Sequence, residues 1–375
     1  NTERPTRGQR AKKLAECYRH LNQTNKAISA YNNVVRYKQA DSLTHFYHGQ
    51  LYMRNGNYKE AAKQYTVAID SLRAYGDSLH LQLAKVGLES AQKAPQWKKE
   101  GSAYTIKKMD LFNSRRDDYS PMLAGDSNDQ LFFTSTRNQA QGDELNGITG
   151  TKNADIFFSQ KDEKGKWGKP QVIASELNSV YDEGACCFSP DGKTMYLTQC
   201  VTDPNYPRYA KIMVSNRSDA SWSKPKELVI AHDTLSSFAH PAVSPDGEWL
   251  YFVSDMPGGM GGLDIWRCRI LNNGNDIGYA ENAGEKITTP GDEMFPTFRP
   301  NGDLYFSSNG HPGFGGLDIY FTADGRKINH PGFPLNSQAD DFGMTFEGKL
   351  NQGFFCSNRG DLRGFDHIYS FYNPE

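Results

Sequence analysis

The chain has 375 residues, more than one ordinary hydrophobic core holds, so two domains are expected. Its formal net charge is −2 and its isoelectric point about 6.6, so no basic field gathers phosphate backbones and nucleic acid is not an expected partner. Mean hydropathy is −0.71 and no long apolar run occurs, so no segment is expected to span a membrane.

The first residue is Asn rather than Met and no signal peptide is visible, so the chain reads as a trimmed fragment or a processed mature protein. The six cysteines (Cys17, Cys186, Cys187, Cys200, Cys268 and Cys356) show no metal spacing. Most sit in or beside predicted strands, where a free thiol behaves as a small buried apolar group.

Residues 1 to about 95 carry helical periodicity. Ala15, Tyr18, Ala27, Tyr31 and Val34 map onto Gly49, Tyr52, Ala61, Tyr65 and Ala68 at a 34-residue offset. Small residues at close-approach points with aromatics between them form the tetratricopeptide (TPR) pattern. Asn55-Gly56-Asn57 turns the second pair, and a helix from about Ser78 to Ala94 covers its open face. Pro95 to Gly101 breaks the helical pattern and marks the junction, giving domains at 1–97 and 98–375.

Beyond the junction the period becomes that of strands. An apolar strand ends in a turn (Phe188-Ser189-Pro190-Asp191-Gly192, Val243-Ser244-Pro245-Asp246-Gly247, Phe298-Arg299-Pro300-Asn301-Gly302). A second strand follows (Met195-Tyr196-Leu197, Leu250-Tyr251-Phe252, Leu304-Tyr305-Phe306), then a loop and a third strand opening on aspartate (Asp264-Ile265-Trp266, Asp318-Ile319-Tyr320). Looser copies lie at Leu131-Phe132-Phe133 with Asp155, and at Phe354-Phe355-Cys356 with Asp366. Such a period is a radial array of blades, so the fold class is an α plus all-β chain with a five-bladed β-propeller. Lys211 takes the place of the third-strand aspartate in the second copy.

The phrase Leu-Asn-Ser recurs at Leu111 to Ser114 (as Leu-Phe-Asn-Ser), Leu177-Asn178-Ser179 and Leu335-Asn336-Ser337, and it reads as the fourth strand. An outer strand at about Tyr104 to Leu111 would complete the last blade and close the ring. Six blades, one beyond Glu375, is the competing count.

Asp118, Glu183, Glu293 and Asp341 hold one place in four blades, each after another acid: Asp117, Asp182, Asp292 and Asp340. Two carboxylates could do acid and base work on a sugar, but catalytic acids need unlike environments. A residue repeated with the blades is instead expected to bond backbone or a nearby arginine. The third-strand aspartates read the same way, since an EF-hand ligand ladder is absent. Met256 to Gly262 is Gly-rich but lacks the Lys-Ser/Thr of a phosphate loop. No Gly-x-Ser-x-Gly elbow occurs, and His232, His240, His311 and His330 lie in propeller loops without metal spacing. No catalytic residue, cofactor or metal is therefore expected.

Helical repeats followed by Ser-Pro-Asp-Gly, Leu-Tyr-Phe-Ser-Ser and Gly-Gly-x-Asp-Ile-Tyr blades resemble the TPR plus PD40 (WD40-like, TolB-like) propeller proteins of the Bacteroidetes OmpA-associated family. The resemblance implies a non-catalytic periplasmic scaffold of the type IX secretion system on the outer-membrane side. Its partners would be secretion-system or outer-membrane-associated proteins, with peptidoglycan reached only through domains beyond Glu375. In such repeats the first helices line a concave face, here Lys12, Glu16, Arg19, Phe46, Gln50 and Met53, which would take a partner helix or peptide. The alternative is a glycan-binding or glycan-cleaving five-bladed propeller.

Overall fold

The computed structural model describes residues 6–138, 145, 152–173, 176–201, 209–219, 221–232 and 235–375. Five helices come first: α1 (Arg7–His20), α2 (Thr24–Arg36), α3 (Thr44–Arg54), α4 (Tyr58–Tyr75) and α5 (Ser78–Glu100). Side-chain caps start three of them. Thr6 and Gln9 form a capping box on α1, Asn57 accepts from Glu60 N, and Asp77 accepts from His80 N. Tyr65 on α4 is buried against α3 and α5. A Cβ on Gly49 would lie 2.9 Å from its ring and one on Gly87 2.4 Å, so both crossings need glycine. Contrary to the expected break at Pro95, α5 runs through that proline and stops at Gly101, whose φ of 66° ends it. Ala94 and Trp97 pack into the helical core and hold that last stretch.

Five sheets then form the five blades of a β-propeller. The innermost strands are Asp118–Ala124, Asp182–Phe188, Phe238–Val243, Glu293–Phe298 and Asp341–Phe346. Each next pairs with an antiparallel second strand and that with a third. Closure is as expected: Thr105–Lys108 pairs antiparallel with His367–Tyr372, so the N-terminal side supplies the outer strand of blade 5. Blade 4 has three strands, and its outer edge is a single bridge between Phe321 and Asn329.

Two readings of the blades need correction. The Leu-Asn-Ser phrase is the link between blades, and the outer strands precede it, as with Gln171–Val172 in blade 1. (Ser175 lies outside the described residues.) The asparagine acts as a latch. Asn178 accepts from Ile156 N at 2.8 Å and donates to Ile156 O at 3.1 Å. Asn336 does the same to Ile319, and Asn113 to Ile368 across the closure. A side-chain amide has one donor and one acceptor at peptide spacing, so it can replace a strand neighbour. Second, strand register places His367, not Asp366, in line with the third-strand aspartates. His367 pairs Ser357 as Asp318 pairs Ser308 and Asp155 pairs Ser135.

Every innermost strand carries a bulge at the same place. Its central residue is left-handed in all five: Ser120 (φ 51°), Ala185 (43°), His240 (51°), Phe295 (53°) and Gly343 (64°). These residues surround the axis, where His240 stacks on Phe295 at 3.8 Å and Phe295 meets Phe342 at 4.6 Å. The space left there is about 30 Å³, enough for a water or two and no substrate.

Candidate functional site

A cleft of about 360 Å³ lies between the helices and blades 4 and 5. Docking makes it. Phe314, in the loop before the third strand of blade 4, is 1% exposed and lies in the helical core, 5.9 Å from Trp97. Gly313 N donates to Ser90 Oγ at 3.1 Å, and Arg54 on α3 bonds both Asp340 oxygens at 2.5 Å. Burial alone would raise the Asp340 carboxyl, but the Arg54 charge, Leu317 N and Asn358 hold it below the usual aspartate range.

On the propeller wall Asp292 is oriented by two neighbours. Its Oδ1 accepts from Leu263 N at 2.9 Å and its Oδ2 from Asn309 at 3.1 Å. His311 bonds Ile287 O at 2.9 Å, and burial lowers its pKa. On the helical wall stand Arg19 and Gln50. Arg19 pairs with Glu16 at 2.5 Å and lies over the Tyr47 ring at 4.0 Å.

The six residues expected to line a partner groove therefore separate. Arg19 and Gln50 line the cleft, and Met53 lies beneath its wall in the helical core, 2% exposed. Lys12 is paired with Asp41, Glu16 bonds Arg19 and Tyr31, and Phe46, 2% exposed, is core. Arg54, Ser90, Asn309 and Phe314 were not anticipated. Nothing local marks them, because each matters through a contact with a distant segment.

The repeated first-strand acids do not face an opening. Asp118 and Asp341 are 0% exposed and bridged to Arg137 and Arg359. Arg137 also donates to Phe112 O at 2.6 Å, and Arg359 to Leu335 O at 2.6 Å. Glu183 accepts from Ser179 N and Oγ and from Gln199, and Glu293 from Thr289 N, Thr289 Oγ1 and Ser308. Burial pushes both glutamates up to about 7 against these bonds. Among the described residues no group of three or more His, Cys, Asp or Glu side chains is arranged to hold a metal ion. No described helix is long and apolar enough to cross a membrane.

No family model matches the chain, and no curated protein matches it. Similar solved structures include the catalytic domain of a GH62 α-L-arabinofuranosidase from Coprinopsis cinerea, at 10% identity and TM-score 0.42, covering 73% of this chain and 98% of that one. Another is an endo-arabinase from Bacteroides thetaiotaomicron, at 14% and 0.39, covering 70% and 96%. A protein of unknown function from Dyadobacter fermentans matches at 13% and 0.41, covering 68% and 75%. The expected membership of the PD40 family and the non-catalytic secretion scaffold have no support from a family model or a curated protein, and the solved structures that match include enzymes, so these expectations and the expected absence of enzyme activity are corrected. At these identities the matches say nothing of which residues would act.

Proposed function

We propose that this chain is a glycan-binding propeller whose site is the cleft between the helices and blades 4 and 5. The observation that carries the reading is polarity on both walls. Gln50 and Arg19 oppose Asp292, Asn309 and His311, groups that bond sugar hydroxyls, while the half-buried Leu83 and Val86 offer an apolar strip for ring C–H faces. The helix pairs, read as TPR-type repeats within 1–97, supply one wall, and the propeller of 98–375 supplies the other. Hydrolysis is the second reading, on one observation: Asp292 and Asp340 hold the same position in neighbouring blades and line one cleft.

Calorimetric titration with arabino-, xylo- and gluco-oligosaccharides tests binding, and release of reducing ends tests cleavage. Asp292→Asn and Gln50→Ala should each weaken binding by about tenfold, roughly one lost hydrogen bond, with the melting temperature unchanged. Failure of every glycan to bind the folded chain, or binding indifferent to both substitutions, would overturn the reading.

A further inference from the structure

Strand register lines up one residue from each of the first three strands at the same end of every blade. The rungs are Asp118–Ser135–Asp155, Glu183–Gln199–Lys211, Phe238–Ser254–Asp264, Glu293–Ser308–Asp318 and Asp341–Ser357–His367. Backbone bonds then join one rung to the next blade. Glu183 N donates to Ala154 O at 2.8 Å, Glu293 N to Leu263 O at 2.7 Å, and Asp341 N to Leu317 O at 2.7 Å. Each acceptor belongs to the residue just before the third-strand aspartate. The first-strand acid of one blade is thereby brought within electrostatic reach of the third-strand aspartate of the blade before it: Glu183 of Asp155, Glu293 of Asp264 and Asp341 of Asp318.

The five junctions read Asp155 with Glu183, Lys211 with Phe238, Asp264 with Glu293, Asp318 with Asp341, and His367 with Asp118. Where lysine replaces the third-strand aspartate, the first-strand acid is missing too. Three junctions pair two carboxyls, and all six groups are at most 2% exposed. At the Asp318–Asp341 junction Arg359 supplies a positive charge, and Arg54 balances the adjacent Asp340. Around Glu293 the facing groups are Asp264, Ser308, Thr289 and the Tyr320 phenol, with Asp292 turned to Leu263 N and Asn309. Around Glu183 the described groups include Asp155, Ser179 and Gln199, with Asp182 accepting from Ala154 N. Asp264 Oδ1 is buried with no hydrogen-bond partner among the described residues. Two ionised carboxylates cannot share such a site without a counter-charge.

We propose that the Asp264–Glu293 junction is a proton-binding site in which one hydrogen is held between the two carboxyls and ties adjacent blades together. Release of that proton to solvent leaves two buried anions and loosens the ring. The direction follows from linkage. Glu183 and Glu293 are raised to about 7 from 4.5, so the folded state holds the extra protons between those values. The stability they confer is full below the ordinary glutamate range and is lost as pH rises through about 7. His48 and His240, held neutral by burial, add a slope of opposite sign on the acid side, so the junction is read as a difference between variants.

Thermal melts of wild type, Glu293→Gln and Asp264→Asn from about pH 5 to about pH 9 test the site. Either amide keeps the shape and supplies the donor permanently. The variant melting temperature should gain on wild type as pH rises to about 7 and then run parallel above it. Infrared spectra should show a protonated-carboxyl band at neutral pH that weakens in both variants. Overlaid pH profiles with an unchanged band would overturn the proposal. So would a wild-type melting temperature lowered by a divalent-metal chelator, because a cation would then hold the pair. If Glu293→Gln does not fold, Asp264→Asn gives the same readout.

Discussion

Blades 1 and 5 flank the place where the ring closes, and they hold their first-strand carboxylate differently from blades 2 and 4. Asp118 and Asp341 each take an arginine, and that arginine also bonds a carbonyl in the link before its blade. Glu183 and Glu293 are bonded by neutral hydroxyls, amides and backbone. The ring position is the same, and burial is nearly complete in all four. What differs is charge balance. An arginine can tie three groups together where closure is non-covalent, whereas a blade inside the chain is already tethered on both sides. Among the described residues Glu293 is bonded by neutral donors and no cation, and that is the condition for proton sharing.

The largest effect should come from removing the closing strand. A chain starting at residue 115 lacks Thr105–Lys108 and the Asn113 latch, and it exposes the edge of His367–Tyr372. It should aggregate or lose cooperative melting, while one starting at residue 102 should keep the propeller's transition. Equal melting temperatures would show that closure does not depend on that strand.

Next, Arg359→Ala should cost about 3–5 kcal/mol in urea unfolding, because it leaves the Asp341 carboxylate buried without its cation. Arg137→Ala should fall in the same range through Asp118. A loss under about 1 kcal/mol for both would erase the distinction between the two kinds of blade.

The smallest change tests the other kind. Ser308→Ala removes one of three side-chain and backbone donors to Glu293, and it should cost about 1–3 kcal/mol. A cost equal to that of Arg359→Ala would mean that the arginine acts as one more hydrogen-bond donor and not as a charge.

The blades were legible because their signals are local. Alternating apolar strands and the Gly192, Gly247 and Gly302 turns, all at positive φ, recur with the period of the fold. The Asn latch was misread as a strand because an asparagine amide imitates a strand's hydrogen bonds without its periodicity. The axial bulges were hidden because only Gly343 advertises positive φ; Ser120, Ala185, His240 and Phe295 are forced there by the ring. The one-residue slip at Asp366 came from matching residue type before register was known.

Sequence alone determined the number of blades, the helical start and the closing strand, since each follows from a repeat or a period carried by neighbouring residues. Tertiary structure decided where the opening lies. Its walls come from Arg19 and Gln50 on one side and Asp292 and His311 on the other, brought together when Phe314 enters the helical core and Arg54 meets Asp340. Packing between segments so far apart in the chain leaves no local periodicity, so no pattern along the chain could announce it.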